Sequence, residues 1–223
     1  MTENKVINLL VGGPTELWPN SLTKKQIKGD WIGVDRGNLY LIRMGIDPVV
    51  AIGDFDSLKP EEMSLVEEHV KDIRRSIPEK DDTDTQLGLK VALDEYQADR
   101  LDIYGATGGR IDHFLSNLWL VLEPRFQKYA EKIRLIDRQN TITFYLPGKY
   151  TVRKESDKKY LAFVALTSVK NLSLFDEKYP LDKYQVKLPM SLASNEFIGN
   201  SGTFSFDSGI MAVIQSKDLK KTI

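Results

Sequence analysis

Short runs of apolar residues recur along roughly the first 137 residues, and segments with a helical pattern separate several of them. One such segment places Leu89, Ala92, Leu93 and Tyr96 at the spacing of a single helix face. Strands that alternate with helices favour a mainly parallel sheet flanked by helices, which is an α/β domain. The predicted strands are Val6–Val11, Trp31–Val34, Val49–Ile52, Leu101–Tyr104 and Ile133–Ile136.

After Asp137 the pattern changes to short alternating segments with turn residues between them. Thr141–Leu146 and Tyr150–Arg153 flank Pro147-Gly148-Lys149, which predicts a β-hairpin. Because no helical stripe interrupts this part of the sequence, we expect an all-β second domain, either a sandwich or a small barrel. We place the boundary near Arg138–Asn140, which gives residues 1–138 and 139–223 as the two domains. Further strands are predicted at Tyr160–Ser168, Tyr184–Leu188, Thr203–Phe206 and Gly209–Gln215.

Positive and negative charges are almost balanced along the 223-residue chain. Lys plus Arg number 31 and Asp plus Glu number 32, so the net charge is -1. Since no excess of positive charge is available to neutralise a phosphate backbone, DNA and RNA are not expected partners. The apolar runs are much shorter than the roughly 18 residues that a membrane helix needs. We therefore expect a cytoplasmic protein that binds neither nucleic acid nor membrane.

The composition also limits the metals that the chain can bind. It contains no cysteine and only two histidines, His69 and His113. Disulfides, thiolate nucleophiles and Cys-ligated zinc are thereby excluded, and a His-rich zinc site is not expected. Any metal must be held mainly by oxygen ligands, which favours magnesium, calcium or manganese.

Two aspartates follow the predicted strand Val49–Ile52, within Gly53-Asp54-Phe55-Asp56-Ser57. Open α/β sheets bind ligands at the carboxyl ends of their strands, and side chains two residues apart in extended backbone point the same way. Asp54 and Asp56 can thus hold Mg²⁺ together and leave positions for water and phosphate. The alternative is an Asp-rich turn, because Asp and Ser hydrogen-bond their own backbone in turns.

A second acidic motif, Asp81-Asp82-Thr83-Asp84, directly precedes the helix that carries Leu89 and Tyr96. Asp and Thr are common helix caps, and acidic residues suit the positive end of the helix dipole. Three carboxylates in four residues exceed what a cap needs, and their repulsion is costly unless a cation lies nearby. Lys80 precedes the motif and contacts either a phosphate or, in the simpler interpretation, only solvent.

A glycine-rich turn, Gly105-Ala106-Thr107-Gly108-Gly109-Arg110, connects the strand Leu101–Tyr104 to a helix. Gly108 and Gly109 allow a phosphate to approach the backbone, and the helix start offers free N–H groups to an anion. The glycine spacing matches neither the P-loop nor the dinucleotide-binding fingerprint. Taken alone, the turn is therefore a weak indication of a phosphate site.

The helix after this turn carries polar residues on one face, mostly in its first two turns. Asp112, His113, Ser116 and Asn117 occupy positions where an ordinary surface helix has Lys and Glu. This patch favours a site lining, although His113 is also explained as a structural polar residue near a helix start. The opposite, apolar face comprises Ile111, Phe114, Leu115, Leu118, Val121 and Leu122.

A run of polar residues between Ser191 and Ser201 predicts a loop in the second domain. It includes Ser194 and Asn195. Both an ordinary surface loop and a binding loop are compatible with this composition.

Taken together, these motifs resemble the thiamine pyrophosphokinase family in order and spacing, over nearly the whole chain. Asp35, which alone fits either a turn or a ligand contact, belongs to the first motif. Many members have a glycine in that motif where this chain has Arg36. The motifs are Asp35-Arg36-Gly37-Asn38, Gly53-Asp54-Phe55-Asp56-Ser57, Lys80-Asp81-Asp82-Thr83-Asp84, Gly109-Arg110-Ile111-Asp112-His113 and Ser194-Asn195-Glu196, the last followed by Gly202–Asp207.

The resemblance implies an α/β catalytic domain that binds ATP and Mg²⁺, and a β-sandwich domain that binds thiamine. It also implies a homodimer whose active sites are shared between chains. The implied reaction converts thiamine and ATP into thiamine diphosphate and AMP.

The resemblance further implies roles for individual residues. Asp54, Asp56 and Asp84 would hold Mg²⁺, directly or through water. Arg110 would bind phosphate oxygens through its fork, and Asp112 would orient the nucleophile or a metal-bound water. Further contacts to the substrates are implied for Asp35, Lys80, Asp81, Thr83, Gly108, Gly109, His113, Asn117, Ser194 and Asn195.

From the sequence alone, two other functions stay open. One is a different magnesium-dependent nucleotide phosphotransferase on the same scaffold, which the formation of ADP rather than AMP would reveal. The other is a nucleotide-binding regulator without turnover. The full set of acidic residues argues against a regulator, because a protein that only binds needs fewer closely spaced charges.

Overall fold

The computed structural model describes residues 4–76 and 82–219, which divide into two compact units. The first unit extends to Leu120 and includes Lys132–Arg138. The second unit consists of Val121–Glu131 and of the chain from Gln139 onward. The second unit thus takes in a short helical segment that a single cut near Arg138–Asn140 assigns to the first domain.

Six strands of the first unit form a sheet in which every neighbouring pair is parallel. They are β1 (Val6–Leu10), β2 (Asp30–Val34), β3 (Val50–Gly53), β4 (Ile73–Arg75), β5 (Arg100–Tyr104) and β6 (Ile133–Ile136). Their order across the sheet is β6-β5-β1-β2-β3-β4. The predicted α/β fold is therefore confirmed. Strand β4 was not predicted, because its sequence Ile73-Arg74-Arg75 contains a single apolar residue.

Helices connect these strands, and one further short helix belongs to the second unit. The α-helices are α1 (Asn20–Thr23), α2 (Arg36–Arg43), α3 (Pro60–His69), α4 (Asp84–Lys90), α5 (Ile111–Trp119) and α6 (Pro124–Gln127). Helix α4 continues into a π-helical segment, and short 3-10 turns occur at Thr15–Leu17, Leu120–Leu122 and Ala130–Lys132. Of the four residues in the predicted stripe, Leu89, Ala92 and Leu93 are buried, whereas Tyr96 is partly exposed. Across the described residues, no helix has the length and apolarity needed to cross a bilayer.

Two apolar clusters hold α2 and α3 against the sheet of the first unit. One joins Leu10 of β1 and Trp31 of β2 to Leu41 of α2. The other packs Val66 of α3 with Phe55, which belongs to the loop after β3. Each fully buried side chain of this size contributes about 1.5–3 kcal/mol. The same clusters therefore fix the loops at the starts of α2 and α3.

Eight antiparallel strands of the second unit form two sheets. They are β7 (Asn140–Tyr145), β8 (Gly148–Arg153), β9 (Tyr160–Ala165), β10 (Val169–Leu174), β11 (Leu181–Val186), β12 (Met190–Glu196), β13 (Ser201–Phe206) and β14 (Met211–Ser216). One sheet has the order β12-β9-β14-β7 and the other the order β11-β10-β13-β8. Phe163 and Phe204 meet between the sheets with their ring centroids 5.2 Å apart. The prediction of an all-β second domain is confirmed, and of the two predicted forms the two sheets correspond to the sandwich.

The predicted hairpin between residues 141 and 153 is wrong. β7 pairs with β14 and β8 pairs with β13, so the chain changes sheets at Pro147-Gly148. The turn residues are local, but the pairing partner depends on which apolar side chains can be buried together. Tyr150 of β8 stacks on Phe204 of β13 at 5.5 Å, whereas Phe144 of β7 lies opposite Ala212 of β14.

Glu177 is a buried carboxylic acid of the second unit. Its side chain is 1% exposed. One carboxyl oxygen, Oε2, accepts a hydrogen bond from the backbone N–H of Asp176 at 3.1 Å, while Oε1 has no donor among the described residues. Burial raises the pKa of Glu177 from its ordinary value of 4.5 to about 7.

This raised pKa makes the stability of the second unit depend on pH. A carboxyl group whose pKa is raised by folding stabilises the folded state at low pH. For Glu177 this stabilisation is complete below the unfolded pKa of 4.5 and is lost as the pH rises through about 7. The expected loss is up to about 3 kcal/mol. Glu177→Gln cannot titrate, so its free energy of unfolding should change less with pH over this range. Urea unfolding at several pH values measures how the free energy of unfolding changes with pH in each protein. An equal pH dependence in the original chain and in Glu177→Gln would contradict the prediction.

Candidate active site

A cavity of about 710 Å³ lies at the carboxyl edge of the parallel sheet. The loops after β1, β2, β3 and β5 form its walls together with the starts of α4 and α5. Open α/β sheets bind their ligands at this edge. The wall includes Gly12, Gly13, Asp35, Arg36, Asp56, Ser57, Thr85, Gly108, Gly109, Arg110, His113 and Asn117. Among the described residues with an expected role in the first unit, Asp54, Thr83, Asp84 and Asp112 are not part of this wall.

The loops after β1 and β5 touch through their backbones. A Cβ atom on Gly13 would lie 2.0 Å from the carbonyl oxygen of Gly105, and one on Gly105 would lie 2.6 Å from that of Val11. Both positions therefore require glycine. Residues 11–16 also belong to the cavity wall and were not predicted from the sequence. The available signal was the pair Gly12-Gly13 directly after a buried strand.

Asp35 stands at the end of β2 in a left-handed conformation with φ of +47°. Its backbone N–H donates to the carbonyl oxygen of Ile52 at 2.8 Å. Its carboxylate lies against Gly53, where an added Cβ would come within 2.1 Å of Oδ1. The ends of β2 and β3 are thus packed closely, and Asp35 lies beside the loop that carries Asp54.

The acidic loop after β3 is a turn held by its own aspartate. Asp54 Oδ1 accepts a hydrogen bond from the backbone N–H of Asp56 at 3.0 Å. Phe55 is buried with φ of +59°, and Arg75 lies over its ring at 5.6 Å. Asp56 and Ser57 reach the cavity wall. The backbone of this motif therefore forms a turn, as one of its two interpretations predicted. The same turn places Asp56 in the cavity wall.

The second acidic motif caps α4. Thr83 Oγ1 accepts from the backbone N–H of Gln86 at 3.2 Å, and Gln86 Oε1 accepts from the N–H of Thr83 at 2.7 Å. This reciprocal pair is a capping box. Asp82 forms an ion pair with Lys90 at 2.7 Å. Thr83 thus serves as a helix cap, and Asp82 pairs with a lysine of the same helix.

Asp84 is placed differently from its neighbours. Its Oδ1 accepts a hydrogen bond from the Ser76 hydroxyl at 2.7 Å, which links α4 to the end of β4. Thr85, the next residue, lies in the cavity wall. Lys80 and Asp81, to which substrate contacts were assigned, lie outside the described residues.

Arg110 and Asp112 bind each other at the start of α5. Arg110 Nε and Nη2 donate to the two carboxylate oxygens at 3.2 and 2.6 Å. Both side chains are exposed, and the hydrogen bonds from Arg110 hold the pKa of Asp112 below its usual value. A phosphate group that enters the cavity would therefore compete with Asp112 for the Arg110 fork.

Helix α5 turns part of its polar face toward the cavity. His113 and Asn117 lie in the wall. Asn117 is buried, and its Nδ2 donates to the carbonyl oxygen of Ala106 at 3.0 Å, which ties the helix to the glycine turn. On the opposite face, Ile111 is 73% exposed. Helical spacing separated the two faces, but it did not show which of them the fold covers.

Ser194 and Asn195 lie in strand β12, so the expected loop in this region is wrong for these residues. The polar composition reflects an edge strand, which pairs with β9 on one side and often carries polar residues. Asn195 is buried. Its amide accepts from the N–H and donates to the carbonyl of Tyr179, at 2.9 and 3.0 Å. Ser194 is exposed, with φ of +62°.

In the part of the chain that the structure describes, no three carboxylates or imidazoles are grouped so that they hold a metal by themselves. Magnesium does not require such a group, because it keeps several water ligands and binds through one or two carboxylates plus substrate phosphates. The oxygen donors of Asp54 and Asp56 suit this mode of binding, whereas Asp84, the third expected metal ligand, is not grouped with them in a set of three among the described residues.

Comparison with known proteins gives the same assignment along almost the whole chain. The model of the thiamin pyrophosphokinase catalytic domain matches residues 23–135, and that of the vitamin B1 binding domain of thiamin pyrophosphokinase matches residues 149–211. A thiamine pyrophosphokinase of Bacillus subtilis strain 168 is 42% identical over 216 residues, which cover 96% of this chain and 100% of the relative.

Solved structures agree with these matches. A thiamin pyrophosphokinase family protein from Enterococcus faecalis has a TM-score of 0.90 at 50% identity, covering 97% of this chain and 100% of its own. Thiamine pyrophosphokinase from Bacillus subtilis has a TM-score of 0.84 at 41% identity, covering 96% and 100%. Motifs, fold and close relatives therefore all assign this chain to the thiamine pyrophosphokinase family, to which it belongs.

Proposed function

We propose that this chain transfers the pyrophosphoryl group of ATP to the hydroxyl of thiamine, giving thiamine diphosphate and AMP, and that the cavity of the first unit binds ATP. The cavity carries this proposal, because two glycine turns, an arginine fork and an acidic loop share its wall. AMP release from ATP that depends on thiamine tests it. ADP release would instead favour the alternative phosphotransferase, and nucleotide binding without turnover would favour the regulator.

The phosphates of ATP bind at the start of α5 in this proposal. Gly108 and Gly109 have φ of +75° and +64°, so the backbone turns tightly there and a phosphate can approach its N–H groups. Arg110 exchanges Asp112 for phosphate oxygens and binds them through two nitrogens. Asp35, Lys80, Asp81, Thr83, His113 and Asn117 are further proposed contacts to the nucleotide or to its metal.

Asp54, Asp56 and Asp84 hold Mg²⁺ in this proposal, directly or through water. When bound, the ion neutralises negative charge on the transferring phosphate oxygens. Asp54 Oδ1 accepts the N–H of Asp56, and in this proposal the other carboxylate oxygen, Oδ2, would bind the metal. The turn that orders the loop is therefore compatible with metal binding by the same side chain.

The reaction itself requires mainly positioning and charge stabilisation. The thiamine oxygen forms a bond to the β-phosphorus, and its proton is released to water. The bond from that phosphorus to the oxygen bridging the α-phosphate breaks, and AMP leaves with the electron pair. Arg110 stabilises the charge on the phosphate oxygens, and Asp112, released from Arg110, orients the attacking hydroxyl or a water on the metal.

The second unit binds thiamine in this proposal, and two chains form a homodimer with shared sites in the cytoplasm. The match of residues 149–211 to a vitamin B1 binding domain supports the first part. Since the Asn195 amide is committed to Tyr179, Asn195 holds the local backbone and the exposed Ser194 makes the direct contact. Symmetric dimers carry two equivalent sites. Light scattering that gives the mass of one chain would contradict the dimer.

Asp54→Asn tests the metal assignment. Asn keeps the oxygen that accepts the N–H of Asp56, so the turn should persist while the charge is lost. We expect turnover to fall at least ~100-fold, and the melting temperature to stay level or rise because repulsion among the acidic residues is relieved. Glu68→Gln, an exposed position on α3, is the matched control and should be unaffected. Near-normal turnover of Asp54→Asn would refute the assignment.

Arg110→Lys tests the phosphate fork. Lys keeps the charge but lacks the planar pair of donors. We expect the KM for ATP to rise about tenfold, in line with one lost charged hydrogen bond, and the KM for thiamine to change little. Steady-state kinetics with each substrate varied in turn measures both constants. A change confined to thiamine would assign Arg110 to the other substrate.

A further inference from the structure

Arg36 connects two loops of the cavity wall. It begins α2, and its Nη1 donates to the carbonyl oxygen of Ser57 at 2.8 Å. Its Nη2 donates to Glu62 Oε1 at 3.3 Å, and the guanidinium lies over the ring of Tyr40 at 6.0 Å. The side chain thus spans from the end of β2 to the last residue of the acidic loop and to the first turn of α3.

Glu62 is itself held from several directions. Its side chain is 11% exposed. Besides Arg36, Oε1 accepts from Arg43 at 3.0 Å, and Oε2 accepts from the backbone N–H of Lys59 at 3.2 Å. A nearly buried carboxylate with donors on both oxygens has few alternative positions. Glu62 is therefore a fixed anchor for Arg36.

These contacts leave the acidic loop fixed at three points. Phe55 is buried in the apolar cluster with Val66, Arg36 holds the carbonyl of Ser57, and Glu62 holds the N–H of Lys59. Asp54 directly precedes the first fixed point, Phe55, and Asp56 lies between Phe55 and Ser57. Where catalysis depends on positioning, a shift of roughly 1 Å can cost about a hundredfold in rate.

We infer that Arg36 and Glu62 form a clamp that positions Asp54 and Asp56 for the metal-bound phosphates of the nucleotide. Arg36 is then a positioning residue, which acts through the loop rather than on the reacting atoms. The inference rests on the function proposed above for the acidic loop. It predicts that either half of the clamp can be removed with the same consequence, because Glu62 acts by holding Arg36 and the loop end.

Kinetics of a double-mutant cycle provide the first test. Arg36→Met and Glu62→Ala should each lower kcat about tenfold and raise the Mg²⁺ concentration for half-maximal activity, with an unchanged KM for thiamine. The kcat of the double variant should be no lower than that of the less active single variant, because the effects of substituting two coupled residues are not additive. Arg43→Met is the matched control, because it removes a contact to the same Glu62 oxygen and leaves the Ser57 contact intact. It should retain kcat within about twofold.

Binding of Mn²⁺ in the presence of a non-hydrolysable ATP analogue gives a readout that does not depend on turnover. Electron paramagnetic resonance should show about tenfold weaker Mn²⁺ binding for Arg36→Met and an intermediate loss for Arg36→Lys, which keeps the charge but not the two-point contact. Arg36→Lys serves alone if Arg36→Met does not fold.

The outcomes separate the clamp from the function on which it rests. Normal kcat and normal Mn²⁺ binding in both Arg36 variants, or additive losses in the double variant, would overturn the clamp. Weak Mn²⁺ binding in Asp54→Asn together with normal binding in Arg36→Met would overturn the clamp alone. Unchanged Mn²⁺ binding in Asp54→Asn would overturn the proposed role of the acidic loop.

Discussion

The parallel alignment of six strands is the constraint on which the candidate site depends. Because β1, β2, β3 and β5 run in one direction, the loops that follow them meet at one edge of the sheet. Residues as far apart in the chain as Gly13 and Gly105 are thereby brought into backbone contact. Any side chain at these two positions would separate the loops, so the shape of the cavity depends on two missing Cβ atoms.

The charged groups around the cavity differ in how easily they can change partners. The pair of Arg110 and Asp112 is exposed to water, which weakens the attraction between its charges, so a phosphate can replace the carboxylate at little cost in free energy. Glu62, the partner of Arg36, is almost covered and is also held by Arg43 and by the N–H of Lys59, so its contact with Arg36 is exchanged less easily. Arg110 can therefore exchange its partner for a phosphate, whereas Arg36 keeps its contacts.

The sequence was informative wherever the physical signal was local. Apolar runs located most of the strands, and the change of pattern after Asp137 separated α/β from all-β structure. The order and spacing of the motifs along the chain indicated the family. The signal failed where local composition was ambiguous. β4 has two arginines among three residues, and the polar strand β12 was interpreted as a loop.

The sequence by itself determined which residue types stand at the strand ends, and therefore the class of chemistry that they support. Only the tertiary structure decided which of them meet. It sent β7 and β8 into different sheets, turned His113 and Asn117 toward the cavity, and committed Asn195 to Tyr179. It also gave Arg36 its partners, 21 and 26 residues further along the chain. The reason is that pairing and burial are settled between distant segments, whereas periodicity and motifs describe only neighbours.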